Sequence, residues 1–543
     1  MKHRSLRSSV VVLLLLVVGS VSAVLIFRSS NSVEKSEEFP SLINATIEIL
    51  TEGLACKKFT SVDLVKAYLS RIAEVNETVH AVTEINPDAL TIAAKLDLER
   101  SAGTIRGPLH GIPILIKNNI ATKDKMNNTA GSWALLGATV PRDATVAKKL
   151  RAAGAILLGK ANLSQWANFR SLDSSNGWSS LGGQVYGPYY PNQDPQGSSS
   201  GSAVASAMLG NRDRRFDHIS FPAQQPSWHQ TKHLVIPISE HEDTVGPLTR
   251  TVKDAAYILQ AIAGVDTRDN YTSAIPDGTI PNYIAACKLS GLSGLRLGIP
   301  RNVIALRTSN TSAPMIEAFE QALDVLEAAG AIIVEDTNFT AAAEYRNSSL
   351  PLAVAGADFV VNLQTYLKSL TYNPKNITSL AVLRDFTQSF PLEDYPARDT
   401  GLWDQSLQSW NNTDPRFWAA YQQVLYYGGE GGLLGALDRN NLDAVILPAR
   451  WAPDWASPVG TPIITVPLGS YPSDTPVVKD SWGLVQYAPN IPFGISFLGA
   501  RFSEEKLIGM AYAFEQRTMV RDKVQPYILP TTELADVVIK KHI

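Results

Sequence analysis

The sequence predicts an α/β protein whose central mixed β-sheet is covered by helices on both faces. Helical patterns alternate along the chain with short apolar runs that are bounded by glycine or charged residues. Runs of this length, apolar throughout, are typical of strands buried on both faces. Alternating helices and buried strands indicate a sheet packed between helical layers.

The individual elements follow from local patterns. Thr60 followed by Asp63 resembles a capping box, and apolar residues recur at helical spacing from Leu64 to Ile72. A second helix is predicted around residues 88–100, and the apolar run 112–116, which ends at Lys117, predicts a buried strand. The later predicted helices are 144–152, which stops at Gly154, and 313–329, which stops at Gly330; the later predicted strands are 155–158, 331–334, 444–447 and 463–466.

Composition excludes several classes of function. The 543 residues are 45% hydrophobic and 18% charged, which is ordinary for a globular protein, and the net charge of -3 argues against a nucleic-acid partner. Cys56 and Cys287 are too few for a disulfide framework or a thiolate metal site. No motif indicates a metal or a cofactor, so none is predicted. No Pro/Gly-rich linker divides the chain, so one domain is predicted over residues 41–530; its oligomeric state stays open.

The N-terminus has the pattern of a targeting segment. A basic start, Lys2 to Arg7, precedes the apolar stretch 10–18, and Val21-Ser22-Ala23 offers small residues suited to signal cleavage. The apolar run continues to Phe27, so residues 1–27 are predicted to be a signal peptide or an uncleaved signal anchor, with 10–27 as a possible membrane tether. Residues 28–40 are predicted to be a polar linker. Both interpretations place the protein in the secretory pathway, secreted or anchored.

Asn-x-Ser/Thr tripeptides agree with a glycoprotein of that pathway. Asn162 falls in a segment that we expect to be buried and therefore unmodified. The ten candidate asparagines are Asn44, Asn76, Asn127, Asn162, Asn270, Asn310, Asn338, Asn347, Asn376 and Asn411.

A group of motifs, in one order, resembles the amidase signature family. They are residues 107–113 (GPLHGIP) with 116–120 (IKNNI), 154–162 (GAILLGKAN), 197–202 (GSSSGS), 243–247 (DTVGP) with 250–252 (RTV), and 491–497 (IPFGISF). The resemblance extends from about residue 40 to 525, and the long secreted homologues of fungi look most similar. It implies the amidase signature fold and hydrolysis of a small-molecule amide through an acyl-serine intermediate.

The resemblance also implies the site residues. Lys117 corresponds to the family's base, which needs burial to lower its pKa toward neutrality. Ser199 is matched to the bridging serine, held in a cis peptide after Ser198, whose hydroxyl passes a proton between the nucleophile and Lys117. The family's residue after the lysine is usually acidic, and here it is Asn118.

The nucleophile of the family has no counterpart in this sequence. Residues 211–232 read NRDRRFDHISFPAQQPSWHQTK and show no apolar period. One choice of codons for Asn211 to Ser220, shifted by one base, reads Thr-Glu-Thr-Asp-Gly-Ser-Ile-Thr-Ser, which resembles the family's nucleophile segment. In the shifted reading frame, the serine codon overlaps the codon of Phe216. The shifted frame over Trp228 to Thr231 also allows Gly-Ile-Lys-Pro, which resembles the next motif of the family. We therefore interpret residues 211–232 as an out-of-frame translation, and expect the polypeptide as written to be inactive.

Alternative functions remain open at this point. If residues 211–232 are genuine, the chain is a non-catalytic binding protein on an amidase scaffold. Residues 197–201 also satisfy G-x-S-x-G, which would make Ser199 the nucleophile of an α/β-hydrolase-type esterase. That motif must follow a buried strand, whereas Pro191 and Pro195 precede it. An amidotransferase subunit uses the same fold, but the signal-like N-terminus argues against it.

Overall fold

The computed structural model describes residues 39–209, 219–220 and 231–538. The elements of the first half follow in chain order: α1 (Ile47–Ala55), α2 (Ser61–Val79), β1 (Val82–Ile85), α3 (Ala89–Ser101), β2 (Pro113–Lys117), α4 (Thr145–Ala152), β3 (Ile156–Ala161), β4 (Trp178–Ser179), β5 (Gly183–Gln184), α5 (Ser200–Leu209), β6 (Ile219–Ser220), β7 (Leu248–Thr249) and α6 (Val252–Ile262).

The second half is richer in helices. Its elements are β8 (Arg296–Gly298), α7 (Arg301–Ala305), α8 (Ala313–Ala328), β9 (Ile332–Val334), α9 (Ala342–Asn347), α10 (Leu350–Ser369), α11 (Leu380–Ser389), α12 (Gly401–Gln408), α13 (Pro415–Gly428), α14 (Leu433–Arg439), β10 (Ala444–Pro448), α15 (Pro453–Ala456), β11 (Ile463–Ser470), β12 (Val478–Lys479), β13 (Val485–Tyr487), β14 (Pro492–Leu498), α16 (Glu504–Thr518) and α17 (Leu534–Val538). The α/β class predicted from the sequence is confirmed.

The larger sheets are both mixed. In the first, of order β1-β3-β2, β3 runs antiparallel to β1 and parallel to β2. In the second, of order β11-β14-β10-β8-β9, β14 is antiparallel to both neighbours and β8 is parallel to β10 and β9. Eight of the described strands thus divide between two mixed sheets, where the sequence analysis placed one central sheet, and the other six form three two-stranded sheets.

Helices cover both faces of the inner strands. Every residue of β3 and of β10 is buried, and side chains alternate between the two faces of a strand. One hydrophobic cluster contains Ile116 and Leu157 of the first sheet together with Val445 and Phe497 of the second. A shared core therefore joins the two sheets.

The termini of the described part are fixed by specific contacts. The capping box at α2 is confirmed: the Thr60 hydroxyl accepts from the Asp63 amide, and the Asp63 carboxylate accepts from the Thr60 amide at 3.0 Å. At the other end, Arg71 of α2 donates to the Thr532 carbonyl at 2.6 Å, and Leu534 is fully buried. The folded domain therefore extends past residue 530, where the sequence analysis ended it.

In the described part of the chain, no helix combines the length and the apolar character needed to cross a membrane. The predicted targeting segment 1–27 and most of the linker 28–40 lie outside the described residues.

Candidate active site

The site forms where β2 and β3 end side by side. Lys117, the last residue of β2, is paired with Ala161 of the parallel strand β3. Its side chain is 7% exposed. An amine that closes an apolar strand in this way points into the protein instead of extending to solvent.

Two serines lie within hydrogen-bond distance of this amine. Lys117 Nζ donates to Ser198 Oγ at 2.8 Å and to Ser199 Oγ at 3.0 Å. Lys117 and Ser199, both identified from the sequence, are thus brought together, although 82 residues separate them. The structure adds Ser198 as a third member of the cluster.

The order of the two serines differs from the expectation. The cis peptide bond joins Gly197 to Ser198, one bond before the position that we inferred for it. Ser198 is 3% exposed and makes the shorter contact with Lys117, whereas Ser199 is only half-buried. Ser198 is therefore the more enclosed of the two serines.

Close backbone packing holds the serine loop against the first sheet. The Ser198 carbonyl accepts from the Ser164 amide at 3.0 Å, and the Gly201 amide donates to the Asn162 carbonyl at 3.1 Å. A Cβ atom on Gly201 would lie 2.3 Å from the Ala81 carbonyl oxygen and 2.6 Å from the backbone of Asn162. Only glycine permits this approach of α5 to β3.

Burial lowers the pKa of the Lys117 amine into the range of a base that works at neutral pH. Desolvation lowers the pKa of its amine to about 7, while the negative charge of Asp243 partly opposes this by raising it. At neutral pH a large share of the amine therefore carries a free lone pair, which a proton acceptor needs.

Asp243 contributes to the electrostatics of the site. The sequence analysis recognised its DTVGP motif but assigned the residue no role. Desolvation raises the pKa of its carboxyl to about 6, and hydrogen bonds and the Lys232 charge act in the opposite direction. Its Oδ2 accepts from the Ile238 amide at 2.8 Å. Sequence spacing gave no sign of its effect on Lys117, because the two residues come together only through the fold.

Asn118, which stands where the family usually has an acid, has a structural task. Its Oδ1 accepts from the Thr129 amide at 2.9 Å, and its Nδ2 donates to the Thr83 hydroxyl at 2.8 Å. The side chain ties the segment after β2 to β1 and to the 129 loop.

A cavity of about 380 Å³ opens over the serines. Its wall includes Ser198 and Ser199 at one side and the aromatic residues Tyr471 and Phe493 at another. The volume lies in the range of small-molecule sites. The cavity therefore places a small ligand against the Lys117–Ser198 pair.

One group of potential metal ligands occurs in the described part, where the sequence showed no metal motif. Glu240, His241 and Asp358 offer ligand atoms within 4.8 Å of one another. The Asp358 carboxylate already accepts from His241 Nδ1 and from the hydroxyl of Ser239, both at 2.6 Å, and from Asn412. The carboxylate is satisfied by protein donors, so the group is explained without an ion.

Phe216, the predicted position of the absent nucleophile, lies outside the described residues, as do 210–218 and 221–230 in general.

A buried lysine amine within hydrogen-bond distance of two serine hydroxyls, beside a small-molecule cavity, is an arrangement typical of serine hydrolases that use lysine as a base. The amidase family model matches residues 63–211 and 229–508 of the chain. The chain therefore belongs to the amidase family, the amidase signature enzymes. The match is interrupted between residues 211 and 229, inside the segment that we interpret as out of frame.

Similar proteins cover most of the chain. A protein of Arthroderma benhamiae named "Putative amidase" is 52% identical over 92% of this chain and 89% of its own. A protein of Arabidopsis thaliana named "Probable amidase" is 35% identical over 93% of this chain and 96% of its own. Among solved structures, the native peptide amidase from Stenotrophomonas maltophilia has a TM-score of 0.77 at 34% identity, covering 90% of this chain and 98% of that one.

Proposed function

We propose that the enzyme whose nucleophile segment is translated in frame hydrolyses the C–N bond of a small carboxamide through an acyl-serine. In this reaction Lys117 is the base and Ser198 is the proton bridge. The observation that carries the proposal is the buried Lys117 amine, 2.8 Å from Ser198 Oγ, with its pKa lowered to about 7 by desolvation. Membership of the amidase family supports amide hydrolysis as the reaction class.

The proton path follows from the contacts. In its neutral form Lys117 has one lone pair and two N–H groups, so it can accept the Ser198 proton while still donating to Ser199. Ser198 in turn takes the proton of the nucleophilic hydroxyl, whose oxygen bonds to the amide carbon. When the C–N bond breaks, the same path returns the proton to the departing nitrogen, and ammonia or an amine leaves. Water then hydrolyses the acyl-serine, with Lys117 again accepting its proton.

Ser199 fits a positioning role better than the bridging role first inferred for it. Its hydroxyl accepts from Lys117 at 3.0 Å and so directs one N–H of the amine away from Ser198. This leaves the lone pair of the neutral amine for the Ser198 proton. The esterase alternative would use Ser199 as nucleophile, but the preceding residues 191–196 form no strand, and Gln193 makes only isolated bridges.

We further propose that residues 211–232 are an out-of-frame translation and that the polypeptide as written is inactive. The interruption of the family match between residues 211 and 229 supports this proposal. A chain without a nucleophile keeps binding but loses catalysis by several powers of ten. Sequencing of transcripts across codons 205–240 tests the idea: an in-frame Gly-Ser-Ile reading is expected, and transcripts that encode residues 211–232 as given would refute it.

The activity itself is tested on a restored chain. Ammonia release from simple carboxamides is measured for the chain as written, for a chain carrying the Thr-Glu-Thr-Asp-Gly-Ser-Ile segment, and for the restored chain with alanine in place of its serine. Only the second is expected to turn over. Comparable rates of ammonia release from all three chains would contradict the proposed amidase reaction.

A non-catalytic binding protein is the second candidate, and it applies to the chain as written. The cavity of about 380 Å³ is lined by described residues that include Ser198 and Ser199, and this supports a ligand site on the chain as written. Transcripts that encode residues 211–232 as given would favour this function.

Localisation is a separate proposal. The basic and apolar pattern of residues 1–27 supports entry into the secretory pathway, by a cleaved signal peptide or a retained anchor. Microsomal translation with and without residues 1–27 tests it: membrane translocation only of the longer chain is expected.

A further inference from the structure

Arg450 stands at the wall of the cavity that contains the serines. It belongs to the turn Ala449–Trp451, which follows β10 directly, and its side chain is exposed. The turn is fixed by the buried strand before it and by Trp451, which is 6% exposed. The guanidinium group is therefore carried on a rigid support at the cavity.

The ring of Tyr487 lies beneath this cation. The guanidinium carbon is 5.3 Å from the ring centroid, a distance typical of a cation–π contact. Within the part of the chain that the structure describes, the Arg450 guanidinium has no carboxylate within ion-pair distance and no hydrogen-bond acceptor. Its donor groups are left to face the cavity and the solvent.

A second arginine, Arg307, does not line the cavity but pairs with a residue that does. Arg307 donates to Asp454 Oδ2 at 2.9 Å, and Asp454 lines the same cavity. This ion pair neutralises Asp454 locally. Arg450, in contrast, lines the cavity, and its guanidinium N–H groups have no hydrogen-bond acceptor among the described residues.

Asp194 is the carboxylate whose charge Arg450 influences, but its oxygens are engaged elsewhere. Oδ1 accepts from the Gln196 amide at 2.8 Å, and Oδ2 accepts from Asn176 Nδ2 at 3.1 Å. Burial raises the pKa of Asp194, and the Arg450 charge lowers it. Asp194 supports the serine loop, and its bonds leave the Arg450 fork available to a ligand.

We propose that Arg450 binds a carboxylate group of the substrate, so that the preferred substrates are amides that also carry a free carboxylate. The scissile amide would lie at the Lys117–Ser198 end, and the carboxylate would face Arg450. The proposal rests on the amide hydrolysis proposed above. A planar guanidinium makes two parallel bonds to a carboxylate, and Tyr471 and Phe493 give the same cavity an aromatic wall for the apolar part of such a substrate.

Binding tests the proposal without the need for a nucleophile. The chain as written is titrated calorimetrically with succinamic acid, the half-amide of a four-carbon dicarboxylic acid, and with its methyl ester, which lacks the charge. A partly exposed charge-assisted bond is worth roughly ten-fold in affinity, so the half-amide is expected to bind about ten-fold more tightly than the ester. Arg450→Gln is expected to make the two affinities equal, and Arg450→Lys to keep part of the preference.

Arg416→Gln is the matched control. Arg416 is an exposed arginine that pairs with Asp414 at 2.8 Å at the start of α13, and it does not line the cavity. Its replacement is expected to leave the preference unchanged. Equal binding of acid and ester, a preference that survives in Arg450→Gln, or no saturable binding of the half-amide would each overturn the proposal. Tighter binding of a neutral peptide amide would overturn it too, and would assign Arg450 to a carbonyl group.

The two proposals fail separately. Loss of the carboxylate preference leaves amide hydrolysis by the restored chain untouched. Conversely, a restored chain that binds half-amides through Arg450 without hydrolysing them would refute the proposed reaction and keep the subsite.

Discussion

The pKa of Lys117 is set by two opposing influences whose balance a single substitution changes. Desolvation lowers it to about 7, and the negative charge of Asp243 raises it. Activity of the restored chain should therefore fall as pH drops below about 7, because the protonated amine cannot accept a proton.

Asp243→Asn removes the charge that favours the ammonium form and keeps an oxygen for the Ile238 amide. The pKa of Lys117 should fall, and the acid limb of the kcat/KM profile should move to lower pH. Asp254→Asn is the matched control, because Asp254 is a buried carboxylate that accepts from the distant Ile47 amide. An acid limb that stays in place in Asp243→Asn, or that moves equally in Asp254→Asn, would contradict this account of the base.

The site residues show which parts of the candidate site could be predicted from the sequence. Lys117 was identifiable because it closes an apolar run inside a family motif. The sequence could not distinguish Ser198 from Ser199, because two adjacent serines are equivalent in sequence, and only the folded loop places the cis peptide bond and the deeper burial at Ser198. Arg450 was not identified at all, since its position at the cavity follows from the end of β10 and from Tyr487.

At the scale of elements, the capping box of α2 offers a direct stability test. Thr60→Ala removes the hydroxyl that accepts from the Asp63 amide, which should cost about 1 kcal/mol of unfolding free energy. Lys58→Ala, two residues earlier and exposed, should have little effect. Denaturant titrations measure both, and equal losses in the two variants would show that the cap is unimportant.

The elements also show which patterns were readable. The strands that begin at Pro113, Ile156, Ala444 and Ile463 were predicted within about two residues of their start, because each is an uninterrupted apolar run. The helix Ser200–Leu209 was not predicted, since its serine- and alanine-rich sequence has little apolar periodicity. The division of the strands of the larger sheets into two mixed sheets is set by long-range pairing, which no local pattern encodes.

At the scale of the whole molecule, a second buried lysine links stability to pH. Lys160 is fully buried, donates to the Ile120 carbonyl at 2.6 Å and to Asn128 at 2.8 Å, and has its pKa lowered to about 7 by desolvation. Between pH about 7 and the normal lysine range the unfolded chain binds this proton and the folded chain does not. The contribution of Lys160 to stability therefore rises with pH over that window.

Lys160→Met removes this contribution. The slope of unfolding free energy against pH between 7 and 9 should become smaller by up to about 1.4 kcal/mol per pH unit, which corresponds to one proton. The difference between the variant and the parent isolates this lysine from the other titrating groups. An identical slope in both proteins would show that Lys160 stays protonated in the fold.

Surface exposure predicts which sequons can carry glycans if the chain passes through the secretory pathway. Asn270, Asn310, Asn338, Asn347 and Asn376 are exposed and should be modified. Asn162 is fully buried, and its Nδ2 donates to the His80 and Gly182 carbonyls, so it should stay free. Glycopeptide mass spectrometry of secreted protein checks this, and a glycan on Asn162 would be incompatible with the fold.

The central claim is that a buried lysine drives amide hydrolysis once the nucleophile segment is in frame. The most direct measurement compares ammonia release from a simple carboxamide by the restored chain and by its Lys117→Met variant at pH 8. We expect the variant to lose roughly a thousand-fold or more in kcat, with its fold intact by circular dichroism. A variant that keeps the rate of the restored chain would contradict the account.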